Sequence, residues 1–324
     1  MGRHAARHSV LRRRAPHRGG KERVWSGSWG RVLIVLALAV ITAWSYRGVL
    51  LGLLYTWRRN DDYSAGQLVP LVAAFLVWRE RSALRQCVLR PCWWGGIGLL
   101  TAALWVRICG YLFMFWSALD YSLVLTIAGL VLLVAGRQVF RRLLGILIFL
   151  VLMFPLPGSI HNLISGPLQG LATAGSVFLL EASGVCVSHQ GNVVLLNDST
   201  SVAVAEACSG LRMLTAFIVV AAFVAYMVKR PRWQKAVLLL SSIPVAVICN
   251  MIRIFLTAML MLYVSAELAE KFFHEFAGLV MMPAAVFLLF GELALMARLV
   301  AREPRPPGQV VTRSKSGKAA ARVL

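Results

Sequence analysis

Residues 236–263 read AVLLLSSIPVAVICNMIRIFLTAMLMLY, with Arg253 as the one charged side chain in the run. As a helix this stretch is ~42 Å long at 1.5 Å per residue. A bilayer core of ~30 Å needs only ~20 apolar residues. The run is therefore a membrane span and not the core helix of a soluble domain. The rest of the chain agrees. Its 324 residues are 59% hydrophobic and 15% charged, with a mean hydropathy of +0.73. Soluble domains carry about 25% charged residues. A soluble globular protein and a disordered chain are both excluded, and the fold class is an all-α polytopic membrane protein.

Working outward from this stretch, the apolar runs predict eight spans at about 32–55, 67–78, 93–113, 119–135, 143–156, 208–228, 236–263 and 274–300. The second and fifth are short for a hydrocarbon core. With the N-terminus inside, the inner segments are 1–31, 79–90, 137–142, 229–235 and 298–324. Together they hold 27 of the 34 Lys and Arg residues, while 158–207 holds none. The positive-inside bias thus predicts eight spans with both termini cytoplasmic, and an extracytoplasmic segment at 158–207. Residues 1–31 and 302–324 read as disordered basic cytoplasmic tails flanking a membrane domain over 32–301. The long first apolar run, without a small-residue cleavage site, reads as a retained signal-anchor.

The net charge of +21 does not imply nucleic-acid binding, because the basic residues sit at the ends of apolar spans. The lipid bilayer is the partner they fit. Six cysteines (Cys87, Cys92, Cys109, Cys186, Cys208 and Cys249) are scattered without a CxxC pair, which supports no zinc site. No metal or organic cofactor is implied. Within the outer segment, 160–184 reads as an amphipathic interfacial helix. Residues 185–205 alternate and suggest a β-hairpin or extended cap turning at Gln190-Gly191-Asn192.

Candidate chemistry gathers on the last three spans. Cys208 lies in Glu206-Ala207-Cys208-Ser209-Gly210-Leu211-Arg212, where the chain re-enters the membrane. If the sixth span is helical from Cys208, Arg212 shares its face one turn deeper. Arg253 lies in Asn250-Met251-Ile252-Arg253, and His274 opens the last span. The topology puts Cys208, Arg253 and His274 at one outer face. Each has a plain alternative: a packing cysteine, a snorkelling arginine, an interfacial histidine. Together they suit cysteine acyl transfer. A thiolate is the nucleophile, favoured by a nearby cation or a helix N-terminus. The imidazole is general base and acid, with Glu270 to orient it, and the guanidinium holds a developing oxyanion. Arg212, Asn250, Glu206 and Ser209 are the supporting or substrate-binding candidates. His161 and His189 are also extracytoplasmic, and nothing local in the sequence favours them.

The run at 206–212 resembles the active-site cysteine motif of the exosortase/archaeosortase family. Asn250-x-x-Arg253, His274 followed by Gly278, and the stretch Asp62-Tyr63-Ser64-Ala65-Gly66-x-Leu68-Val69-Pro70 resemble further family signatures. The resemblance covers about residues 60–300. It implies a membrane-embedded cysteine protease or transpeptidase of the bacterial inner membrane, with its site facing the periplasm. Its partners would be exported proteins with a C-terminal sorting tail: a short motif such as Pro-Glu-Pro, a transmembrane helix and a basic cluster. The severed protein would pass through a thioester to a cell-envelope acceptor, with Cys208, Arg253 and His274 in the catalytic roles. One position departs: Ala65 stands where many members carry His, which implies a divergent subfamily.

Three other readings use the same residues. In a transporter or export component, Arg47, Arg107, Arg212 and Arg253 line an anion path; transport survives Cys208→Ser and sorting does not. A different membrane acyltransferase would use the same Cys and His on a lipid or glycan. An assembly protein would not need Cys208, Arg253 and His274 to touch.

Overall fold

The computed structural model describes residues 28–190, 193–196, 200–203, 210–265, 267 and 277–300. The expected tails at 1–31 and 302–324 and the turn residues 191–192 fall wholly or mostly outside them. The chain divides into two units, Met1–Gly48 and Val49–Leu324. The described part of the first unit is α1 (Ser28–Ser45) and the start of α2 (Arg47–Arg59). The expected first span is thus two helices that break at Tyr46. At the break the Arg47 guanidinium lies 4.9 Å from the Trp44 ring centre.

The second unit is helical with one small sheet. A 3-10 turn over Asp61–Gln67 leads into α3 (Leu68–Arg79), α4 (Arg81–Arg85), α5 (Trp93–Leu112) and α6 (Trp116–Val134). Then come α7 (Arg137–Leu150) and α8 (Gly158–Ala182). Strands β1 (Val187–Gln190), β2 (Val193–Leu196) and β3 (Thr200–Ala203) form an antiparallel sheet in the order β1-β2-β3, with Gln190 opposite Val193. The chain closes with α9 (Leu211–Met227), α10 (Arg232–Tyr263) and α11 (Ala277–Val300).

The span count differs from expectation. Four helices among the described residues are long and apolar enough to cross a membrane: α5, α6, α8 and α10. A fifth is reached if Val32–Ser45 and Arg47–Arg59 are one broken span. The expected spans at 67–78, 143–156 and 208–228 correspond to helices of 12, 14 and 17 residues, or about 18, 21 and 26 Å. The segment expected to lie flat at the interface instead forms α8, a 25-residue helix of span length. Four of its polar residues, Ser159, Ser165, Thr173 and Ser176, are small, and with its glycines they pack in a helix much as Ala does.

Long α10 organises the last helices in three layers along its length. Leu238 packs with Ala221, Val224 and Ala225 of α9 and Leu289 of α11. Ala246 and Cys249 pack with Leu211, Leu214 and Phe217 of α9, together with Tyr63 and Leu168. Ile254 and Ala258 pack with Ala172 and Leu180 of α8 and Val194 of β2. Successive layers are eight residues apart, about 12 Å. Pro244 does not interrupt the helix. α8 runs beside the final third of α10 in the same direction, and the Ser176 hydroxyl donates to the Met251 carbonyl at 3.2 Å. Ser241 of α10 donates to Glu292 Oε2 of α11 at 2.6 Å.

α5 and α6 form a close hairpin. A Cβ at Gly96 would lie 2.7 Å from Leu133 Cα, and one at Gly129 2.9 Å from Leu100 Cγ. Small residues let the backbones approach this closely. Past α6 the chain turns at Gly136, whose φ of +86° L-residues rarely adopt. Gly136 bridges to Arg90, Cys92 N–H donates to Leu132 O at 3.3 Å, and Val88 N–H donates to Gln138 Oε1 at 3.0 Å. A Cβ at Gly136 would collide with the Arg90 carbonyl. Gly136→Ala should therefore lower the unfolding free energy by about 2 kcal/mol or more. Gly98→Ala, in an open stretch of α5, should be neutral or mildly stabilising. Thermal unfolding midpoints of the two variants in one detergent check this; equal midpoints would contradict the strained turn.

Candidate active site

The site is built where α9 starts. Gly210 has φ +69° and ψ −15° and caps α9, and Leu214 N–H donates to its carbonyl at 2.9 Å. The left-handed residue stops the helix from extending backwards. α9 begins at Leu211, so Arg212 lies in its first turn, and Cys208, with which it was expected to share a helix face, lies outside the described residues. Gly210 also lets the chain approach α10. A Cβ at this position would lie 3.0 Å from Asn250 Nδ2.

Asn250 and Arg253 are 1% and 4% exposed, so a guanidinium is buried in an apolar helix. Arg253 Nη2 donates to Asn250 Oδ1 at 2.8 Å, one turn earlier on α10. The Thr257 hydroxyl donates to the Arg253 carbonyl at 2.9 Å. Arg253 stands ten residues before the end of α10, about 15 Å along the axis. This is near the helix end, as the sequence suggests, but deeper than a snorkelling residue needs.

Arg212 faces the other way, with Nη1 3.1 Å from Asp61 Oδ2 in a pair that is 39% and 71% exposed. Asp61 opens the turn over 61–67. Asn60 caps that turn by accepting the Asp62 N–H at 3.0 Å, and Ser64 Oγ donates to the Asp61 carbonyl at 2.8 Å. Such Asx and Ser contacts are what Asn-Asp-Asp sequences supply at turns. The Thr215 hydroxyl of α9 donates to the Asp62 carbonyl at 2.7 Å. The turn is fastened from behind by Trp57, whose Nε1 donates to the Met153 carbonyl at 3.0 Å.

Tyr63 and Ala65 point inward, 7% and 4% exposed, into the layer that holds Leu211 and Cys249. The Tyr63 hydroxyl lies 2.8 Å from Nδ1 of His161, in the first turn of α8. Burial, its largest influence, raises the Tyr63 pKa to about 12, so the phenol is neutral at ordinary pH.

Of the residues expected in the site, the structure brings Asn250 and Arg253 together and sets Asn250 beside Gly210 of the cysteine motif. Arg212 is joined to Asp61 instead. Cys208, Glu206, Ser209, His274 and Glu270 lie outside the described residues. Sequence reasoning missed Asp61, Thr215 and His161. Asp61 adjoins a stretch that was legible, but its partner is 151 residues away, and His161 has no local motif. Among the described residues no group of three His, Cys, Asp or Glu side chains is placed to hold a metal ion.

A family model for transmembrane exosortases matches residues 57–291. The chain belongs to the transmembrane exosortase family. The matched region runs from Trp57, behind the 61–67 turn, through α9 and α10 into α11, so it contains every contact of the candidate site. Membership makes this exosortase a multi-pass membrane protein with a transpeptidase- or protease-like role. No curated protein and no solved structure matches the chain.

Burial ranks the polar contacts. Asn250→Ala removes an acceptor from a buried guanidinium and should cost about 1–3 kcal/mol of stability. Asp61→Asn weakens a largely exposed pair and should cost under about 1 kcal/mol. Unfolding midpoints in a common detergent test the order, and a larger shift for Asp61→Asn would reverse it.

Proposed function

We propose that this exosortase is a cysteine transpeptidase in which Cys208, His274 and Arg253 perform the chemistry. The observation that carries the reading is the close approach of Gly210 to Asn250, which joins the cysteine motif to the Asn-x-x-Arg motif across 40 residues of chain. Covalent connectivity keeps Cys208 Cα within about 7 Å of Gly210 Cα, the residue that meets Asn250. The positive end of α9 favours a thiolate in this neighbourhood.

From the Ser241–Glu292 contact, 12 residues along α10 reach Arg253, about 18 Å, and with α11 crossing in the opposite direction 15 residues back along it reach Ala277, about 22 Å. α11 thus begins near the level of Arg253, and the role given to His274, which lies outside the described residues, rests on its place in the sequence three residues before Ala277. Starting from Lys235 in the basic loop, ~30 Å of hydrocarbon ends near Phe255, so Arg253 falls at the outer edge of the bilayer. The last turns of α10, with the C-terminal half of α8 packed along them, then reach beyond the hydrocarbon. In our reading α8 belongs to the extracytoplasmic segment, both termini are cytoplasmic and the site faces the periplasm of a bacterial inner membrane, which rests on the distribution of Lys and Arg.

In the proposed reaction Cys208 Sγ attacks the scissile carbonyl of an exported protein's C-terminal tail. His274 takes the thiol proton and returns it to the departing amine, while Arg253 stabilises the oxyanion. The thioester that results is resolved by an envelope acceptor. The tail would carry a short recognition motif, a transmembrane helix beside α9–α11 and a basic cluster left inside. The transport reading gains no support from Arg212 and Arg253, which are each tied to a local partner.

Cys208→Ser and Cys208→Ala should each abolish processing of a tail protein co-expressed from the same genome, at equal membrane abundance. Arg253→Lys should slow it by about 10²-fold, since a compact ammonium does not reproduce the guanidinium fork. Unchanged processing by Cys208→Ala would end the cysteine mechanism.

A further inference from the structure

The Tyr63–His161 pair plays no part in the chemistry above, yet it is built like a working site. Tyr63 packs in the same layer as Leu211, the residue after Gly210, while its turn is fixed to α9 through Asp61–Arg212 and Thr215–Asp62. His161 reaches it from α8, 98 residues along the chain. The imidazole is half-buried, so part of the ring is exposed.

Burial keeps the Tyr63 phenol protonated, so its hydroxyl has a proton to place, and the side-chain partner beside it is His161 Nδ1 at 2.8 Å. A buried hydroxyl proton left without an acceptor is costly, so the O–H is read as the donor to Nδ1. An imidazole that accepts at Nδ1 carries its proton on Nε2. Nε2–H is then an uncharged donor, and among the described residues no other side-chain hydrogen bond engages His161.

We propose that His161, oriented by Tyr63, is a substrate-binding residue whose Nε2–H donates to a peptide carbonyl of an extended segment entering between the 61–67 turn and α8. An uncharged donor suits an uncharged acceptor, while an anionic group would find the half-exposed Arg212 a stronger partner. The inference rests on the transpeptidase reading for the identity of the segment. Tyr63 is the positioning residue: it touches no substrate and sets which nitrogen carries the proton.

Two measurements on the full chain in lipid nanodiscs decide it. In the 15N spectrum of histidine-labelled protein, the signals absent from His161→Gln belong to His161. They should show a protonated Nε2 and an unprotonated Nδ1, and Tyr63→Phe should give a mixture of tautomers. A protonated Nδ1 in the wild type overturns the proposal. The second is processing of a purified tail protein from the same genome. His161→Ala should raise KM about five- to tenfold with kcat within about twofold, the pattern of lost ground-state binding. His161→Gln, whose amide N–H reaches the place of Nε2, should restore most of it. A Gln variant as poor as Ala, or an Ala variant equal to wild type, also overturns it. If Cys208→Ala processes the tail as well as wild type, the transpeptidase reading falls, and the tautomer measurement still decides the assignment of the imidazole.

Discussion

A guanidinium inside an apolar helix is the constraint that shapes this molecule. Charge in the hydrocarbon region is tolerated where it is hydrogen-bonded and turned toward the protein interior. Arg253 meets that demand with Asn250 on its own helix and with close packing around it. The packing in turn needs another segment against α10 at this depth. The turn at Gly210 supplies it, because a residue without a side chain brings the start of α9 up to the Asn250 amide. The cysteine motif is thereby anchored at the level of the charge. The 61–67 turn closes the same place from the other side, held through Arg212 and Thr215.

The helices around this point have unequal lengths, and that inequality is what opens a site. α9 stops at Leu211 while α10 continues for about another 15 Å beyond Arg253. α8 and the small sheet occupy the step so formed, with Val194 and Leu180 packed on Ile254 and Ala258. Arg253 is buried at the level where this step begins, bonded to Asn250 on its own helix.

Much of this was legible in the sequence, for a definable reason. The apolar run at 236–263 is long, with one charge, and length and composition suffice to make it a helix of membrane scale. α5 and α6 follow from the same evidence. The motifs around Cys208, Asn250 and Arg253 pointed to one face, and Gly210 does meet Asn250. What could not be read were the breaks and the long-range pairings. Hydropathy runs unbroken through Tyr46 and across 208–211, so two helix boundaries were invisible to it; the second depends on the backbone angle of a glycine. α8 was legible as a helix, but not its span length, and Pro167 sits inside it without interrupting it. His161 carried no local signal at all. Its meaning lies in a phenol 98 positions away, and no periodicity encodes that.

The sequence separations within the site also bear on when it comes into being. α5 and α6 are joined by three residues and can pair as soon as both have left the ribosome. The Tyr63–His161 contact spans 98 residues and the Arg212–Asp61 pair 151. Contacts that close long loops form late, because the chain entropy must be given up before the contact returns anything. The Gly210–Asn250 approach cannot form until α10 has been synthesised. A nascent chain therefore carries the start of α9 into the membrane well before the Asn250–Arg253 pair that it meets. The layout delays the assembly of the candidate site until nearly the whole protein is in place.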